Sequence, residues 1–151
     1  MQTECEITVF LSNEAGALHK VCELLGANGV NIEGLTIQAA TDHGVVRLIV
    51  SDPVRAQHLL ESCGLLTLEN SVLGVRLTNR AGALAELALR LARKGINIEY
   101  IYGSTGGKGR LANVYVRVSD LEAARRALQG IESADLSPGA PRRKRAKDVE
   151  P

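Results

Sequence analysis

The 151-residue chain has no tryptophan, one phenylalanine, three tyrosines and three cysteines. So few aromatics exclude a core built on ring packing, and wide base-stacking platforms are not expected. Aliphatic side chains must fill the interior, for which a hydrophobic content of 45% is ample. Cys5, Cys22 and Cys63 are odd in number and far apart, without the paired spacing of zinc ligands or a redox dithiol. They are expected as buried, reduced thiols. No apolar run approaches about 18 residues, and the amino terminus lacks the basic-then-apolar pattern of a signal peptide. A cytoplasmic protein without a membrane segment is the expectation.

Catalytic signatures are missing as well. There is no Ser-His-Asp order, nucleophile elbow, phosphate loop or dinucleotide fingerprint. His19, His43 and His58 have no Asp, Glu or Cys at a recognisable ligand spacing. Gly106-Gly107-Lys108-Gly109 lacks the Ser/Thr and the helix of a phosphate loop and is expected as a hairpin turn. No enzyme, cofactor or metal site is expected. The net charge is only +1, and Arg142, Arg143, Lys144, Arg145 and Lys147 all sit in the last ten residues. Without that tail the body carries 13 basic and 15 acidic residues. Such a body has no global attraction for nucleic acid.

What the chain does have is a repeat. Asn13-Glu14-Ala15-Gly16-Ala17-Leu18 recurs as Asn79-Arg80-Ala81-Gly82-Ala83-Leu84, and Gly29-Val30-Asn31-Ile32-Glu33 as Gly95-Ile96-Asn97-Ile98-Glu99. The displacement is 66 residues, and 12 of the 25 positions from Val9 to Glu33 are identical to their partners. Chance does not produce that, so the chain is a duplicated unit. Each copy, at about 65 residues, is near the lower limit for independent stability, so the two should lean on each other.

Cys5, Ile7, Val9 and Leu11 alternate with Glu6, Thr8 and Phe10, the period of a strand with one buried face, and Leu73, Val75 and Leu77 repeat the pattern. The period then becomes helical, with Leu18, Val21, Cys22 and Leu25 on one face and Leu84, Leu87, Ala88 and Leu91 in the second copy. Gly29 and Gly95 end those helices. Strands over Val30 to Thr41 and Ile96 to Thr105 follow, then return strands burying Val46, Leu48, Val50 and Val114, Val116, Val118. Ser51-Asp52 and Ser119-Asp120 read as helix starts for segments from about Pro53 to Cys63 and Leu121 to Gln129. Short final strands are expected near Leu65 to Leu68 and Ile131 to Leu136.

The order in each copy is β-α-β-β-α-β. The predicted fold is α+β: two ferredoxin-like units in tandem, residues 1–69 and 70–136, with antiparallel sheets and helices on one face. Residues 137–151 are expected as a disordered basic tail. The other sheet face mixes Val45, Arg47 and Ile49 with Leu111, Asn113, Tyr115 and Arg117, and a face of that kind usually covers itself with something.

The two Asn-x-x-Gly-x-Leu turns and the two Gly-x-Asn-Ile segments resemble the ACT domain, the small amino-acid-sensing module attached to many enzymes and regulators of amino-acid metabolism. The chain is also similar to small stand-alone proteins made of two ACT units. Independently of that, a glycine at a strand-to-helix turn allows close approach, and the first helical N–H groups favour a carboxylate. Asn13 or Asn79 offers a donor and an acceptor to an α-amino and α-carboxylate pair. The resemblance implies that Asn31 and Asn97, with Ile32 and Ile98 beside them, complete the contacts across an interface between units. It implies a non-catalytic regulator that binds a free amino acid and answers to an enzyme of amino-acid metabolism; a homodimer formed through the open sheet faces or edges is also expected. Glu14 against Arg80 and Gly34 against Tyr100 would make two unequal sites. The alternatives are a pure association module without ligand, or an RNA binder acting through the tail.

Overall fold

The computed structural model describes residues 1–104 and 110–134. The expected turn at Gly106-Gly107-Lys108-Gly109 and the basic tail lie outside the described residues. The chain runs β1 (Gln2–Ser12), α1 (Ala17–Ala27), β2 (Ile32–Ala39), β3 (His43–Val50), α2 (Pro53–Ser62), β4 (Thr67–Thr78), α3 (Ala83–Ala92), β5 (Ile98–Ser104), β6 (Leu111–Val118), α4 (Leu121–Ala127) and α5 (Ile131–Ala134). All strand pairs are antiparallel, and they make one six-stranded sheet in the order β2-β3-β1-β4-β6-β5. The fold is α+β, with two ferredoxin-like units sharing that sheet.

Local chemistry sets the elements. Asp52 accepts from the Arg55 N–H at 3.0 Å and Asp120 from the Ala123 N–H at 2.9 Å, capping α2 and α4. The serines before them hold strands rather than helices. Ser51 and Ser119 accept from the Asn31 and Asn97 N–H groups at 3.0 and 3.1 Å, tying the start of β2 to the end of β3 and of β5 to the end of β6. Gly29 and Gly95 take φ of 73° and 68° and turn the chain out of α1 and α3.

Two equivalent cores result. Ile7, Val9, Val46, Leu48, Leu25 and Leu60 fill the first and Leu73, Val75, Val114, Val116, Leu91 and Leu128 the second. Three residues expected on the buried stripes fall outside them: Leu84 and Ala88 are exposed and Cys22 is half-buried, because Ala83, Leu87 and Leu91 form the inward face of α3 and Val21 and Leu25 that of α1. None of the three cysteines is fully buried, and Cys63, just past the end of α2, is exposed. Burial and the Glu69 and Glu6 carboxylates push the Cys5 thiol up, which holds it as the unreactive thiol.

The join between copies is direct, through Glu69-Asn70-Ser71 and without a linker, as the sequence leads one to expect. The short strand near Leu65 to Leu68 and the first strand of the second copy fuse into β4, so the expected division between residues 69 and 70 falls inside a continuous strand. Near the carboxyl end, residues 131–134 are helical rather than extended. The place of a fourth strand beside β4 is already filled by the first residues of β1, with Gln2 opposite Gly74 and Glu4 opposite Val72. Where β1 runs out, the Glu132 carboxylate accepts from the Arg76 N–H at 3.1 Å and from the Met1 ammonium at 2.5 Å. Cys5 faces Ser71 across the β1–β4 ladder, 66 residues apart. A pseudo-two-fold axis therefore passes between equivalent residues.

The sheet curls so far that its edge strands β2 and β5 touch. The face away from the helices, expected to cover itself with something, is the inside of that curl. Ile49, Val72 and Tyr115 are buried there, with Tyr100 and Tyr102 packed against them.

Candidate functional site

Both glycine turns are built alike. After β1, the Asn13 N–H donates to the Asp42 carbonyl, Glu14 N–H to Ser12 and Ala17 N–H to Glu14. After β4, Asn79 N–H donates to Arg110, Arg80 N–H to Thr78 and Ala83 N–H to Arg80. Gly16 and Gly82 are the helix N-caps, at φ of 88° and 91°. That left-handed backbone is the reason for glycine. Crowding is not: a Cβ on Gly16 would meet nothing within 4 Å, and one on Gly82 only the Arg80 Nη1 at 3.8 Å. The positive φ is thus a requirement for glycine at both turns, in addition to the room a missing side chain leaves for a ligand. The asparagines do not cap the helices either, since among the described residues no side chain caps the N-termini of α1 and α3.

The Asn13 side chain donates to the Ala40 carbonyl at 3.0 Å, in the β2–β3 connection. The copies part at the next residue. Glu14 places a carboxylate beside the first turn, whereas Arg80 at that position in the second copy donates to Glu86 at 3.0 Å, and Glu86 also accepts from Arg90 at 2.8 Å. Asn79, Arg80, Ala83 and Leu84 border a cavity of about 220 Å³, walled by Leu77, Ile101, Ala112 and Val114. A larger cavity, about 670 Å³, lies on the other flank of α1 between Lys20, Leu24, Cys63 and Leu65. It touches Glu14, Ala15 and Ala17 but not Asn13, whereas Asn79 borders the smaller cavity; neither cavity is bordered by the glycine of its turn. In the second copy, the equivalent flank is crossed by the Arg90 bond to the Gln129 carbonyl.

Asn31 and Asn97 are exposed at the starts of β2 and β5, with backbones held by Ser51 and Ser119. Within a unit they lie at the far end of β2 or β5 from the glycine turn; eight residues of β2 span about 26 Å at roughly 3.3 Å each. The structure thus does not bring Asn13 to Asn31, or Asn79 to Asn97, inside one unit. Ile32 and Ile98 are half-buried against the two cores. Ala81 and Gly82 are exposed, and Ala83 is buried at 5% exposure.

One polar cluster escaped the sequence. Glu6 is wholly buried inside the curl, accepting from the Tyr100 hydroxyl at 2.6 Å and the Tyr102 hydroxyl at 2.7 Å. The Arg47 guanidinium stands 3.9 Å from the same carboxylate and 4.3 Å over the Tyr100 ring. Burial and the Glu6 carboxylate push the Tyr100 phenol up to about 12 and raise Tyr102 further still. The signal was present in the alternation of β1, where an acidic residue sits mid-strand, but its partners lie 94 and 96 residues away.

Two seam cavities of about 300 Å³ each lie between the units on the inner face, one beside Glu33 and Tyr115 and its counterpart beside Glu99 and Arg47. Neither includes a glycine-turn residue. Among the described residues no group of His, Cys, Asp and Glu is arranged to hold a metal, and no helix is long and apolar enough to cross a membrane.

A family model described as an ACT domain pair matches residues 2–132. No curated protein sequence matches the chain. Among solved structures, protein BT0572 from Bacteroides thetaiotaomicron is similar with 31% identity and a TM-score of 0.79, over 84% of this chain and 87% of that one. The regulatory subunit of aspartate kinase from Thermus thermophilus has 17% identity and a TM-score of 0.61, over 87% of this chain and 97% of that one. Aspartate kinase from Clostridium acetobutylicum, at 14% identity and a TM-score of 0.56, is matched over 85% of this chain and 33% of its own length. The last two show likeness of fold.

Proposed function

The chain belongs to the ACT domain pair family, and on that premise we propose that it is a cytoplasmic, non-catalytic regulatory protein that binds a free amino acid at a glycine turn. The observation that carries this reading is the cavity of about 220 Å³ bordered by Asn79, Arg80, Ala83 and Leu84. At about 30 Å³ per water it holds several waters' worth of space, and it falls below the roughly 300–1,000 Å³ of drug-sized pockets. A small metabolite suits it. The first N–H groups of α3 have no acceptor within the helix and favour a carboxylate at the rim. Asn31 and Asn97, being remote within a unit, reach such a ligand only from a neighbouring unit, in keeping with a site where units meet.

The partner to which this points is an enzyme of amino-acid metabolism, as similar chains are regulatory subunits of aspartate kinase. Dimerisation would use the sheet edges rather than its inner face, because the curl covers that face while Leu35 and Ile37 on β2 and Ile101 on β5 remain exposed. Thermal denaturation against each of the twenty amino acids tests the ligand reading. A ligand at a hundred times its Kd adds about 2.7 kcal/mol, which raises the Tm by several degrees; no rise with any of the twenty overturns it. Gel filtration across a range of concentrations tests the dimer, and a monomer throughout removes it.

A further inference from the structure

We infer that, of the two glycine turns, the second carries the amino-acid site and that it takes an uncharged aliphatic side chain, an inference that rests on the ligand reading above. The turns share their backbone hydrogen bonds and most of their surroundings. Leu77, Ala83, Leu84 and Ile101 around the cavity correspond, 66 residues back, to Leu11, Ala17, Leu18 and Leu35. Two positions differ decisively.

The first is Gly103, whose counterpart is Ile37. Ile37 pairs with Val46 as Gly103 pairs with Val114. The Ile37 Cδ1 and Cγ1 atoms lie 3.8 and 3.9 Å from where a Cβ on Gly44 would stand, so the isoleucine covers the β3 backbone there. In the second copy glycine has no side chain to cover that place, and Ala112 and Val114 face the cavity instead. Gly103 is also held to be glycine, since a Cβ would come 2.5 Å from the Asn113 carbonyl oxygen. The opening is therefore built into the close approach of β5 to β6.

The second is charge. Glu14 stands beside the α1 turn, whereas Arg80 stands beside the α3 turn, where it and Arg90 share the single carboxylate of Glu86 and leave one net positive charge. A carboxylate is favoured by that net positive charge, whereas at the first turn Glu14 and Lys20, the counterpart of Glu86, offset each other. Among the described residues that border the cavity, Leu77, Ile101, Ala112 and Val114 are apolar and the charged one, Arg80, is already paired to Glu86. A charged side chain would enter the cavity without a partner, at a desolvation cost an aliphatic one avoids.

Titration calorimetry with L-valine, L-leucine, L-isoleucine, L-lysine and L-aspartate tests this on the full chain. One aliphatic amino acid per chain is expected, with neither charged one bound. Ala112→Leu, which fills the cavity from β6, should weaken binding about tenfold or more while the far-UV circular dichroism is unchanged. Ile37→Gly, which uncovers the first turn, should raise the stoichiometry toward two. Two sites in the unaltered chain, tightest binding by a non-aliphatic amino acid, undiminished binding in a folded Ala112→Leu, or one site in a folded Ile37→Gly each overturn the inference and leave the ligand reading standing. Failure of all twenty amino acids to bind removes the reading itself.

Discussion

The two faces of the sheet were built under different rules. On the helix side aliphatic answers aliphatic, often the same residue: Val9 answers Val75, Leu25 answers Leu91 and Val46 answers Val114. Inside the curl they are complementary. Glu6 answers Val72, Gly34 answers Tyr100, Thr36 answers Tyr102 and Arg47 answers Tyr115. A face that packs against helices of its own copy keeps the same solution twice. A face that meets its own copy across a two-fold axis would set Glu6 near a second Glu6, two buried like charges. Duplication within one chain removes that constraint, and the second copy supplies phenols where the first supplies a carboxylate.

The largest effects should confirm the equality of the helix side. Leu25→Ala and Leu91→Ala, at wholly buried positions, are each expected to cost about 2–5 kcal/mol in urea denaturation. A difference between them beyond about 1 kcal/mol, twice the usual tolerance for independent sites, would break the equivalence. Next comes the inner face. Glu6→Ala leaves two tyrosine hydroxyls without their acceptor and should cost about 3 kcal/mol, while Glu6→Gln, whose amide oxygen still accepts, should cost less. Equal losses for the two would show that the cluster serves only to fill space.

Gly34→Ala is expected to cost about 1–3 kcal/mol, because its Cβ would lie 2.5 Å from the Tyr115 ring. A double-mutant cycle with Tyr115→Leu should recover most of that loss; strict additivity would show that Gly34 on β2 and Tyr115 on β6 do not act on each other. The smallest effect is in pH. The Tyr100 phenol, pushed from 10.0 to about 12 by burial first and then by Glu6, favours the folded state while it is neutral. Its contribution is complete below pH 10 and is lost as the pH rises toward 12. Tyrosinate absorbance should therefore lag behind that of an exposed phenol, and Glu6→Gln should bring it back toward 10.

How far these features are legible in the sequence follows from how far apart their parts lie. Alternation in β1 and the 3.6-residue period in α1 report on an element's own buried face, and Ile7, Val9, Val21 and Leu25 are where those periods place them. The caps at Asp52 and Asp120 needed only three residues of context. The strand expected after α4 is a helix because propensity could not register that the amino-terminal residues of β1 already held the strand place beside β4. The turns were legible as a motif, but the left-handed φ that holds Gly16 and Gly82 to glycine was not, since φ is invisible in a letter string.

By itself the sequence determined the duplication, the element order in each copy up to the last strand and the two aliphatic cores, because each depends on neighbours within a few turns of chain. Tertiary structure alone decided that the copies share one sheet, that its second face closes over Glu6, and that the second turn has a cavity where Ile37 covers the first. Those outcomes depend on how far the sheet curls, and curl brings together residues whose separation along the chain exceeds any local period.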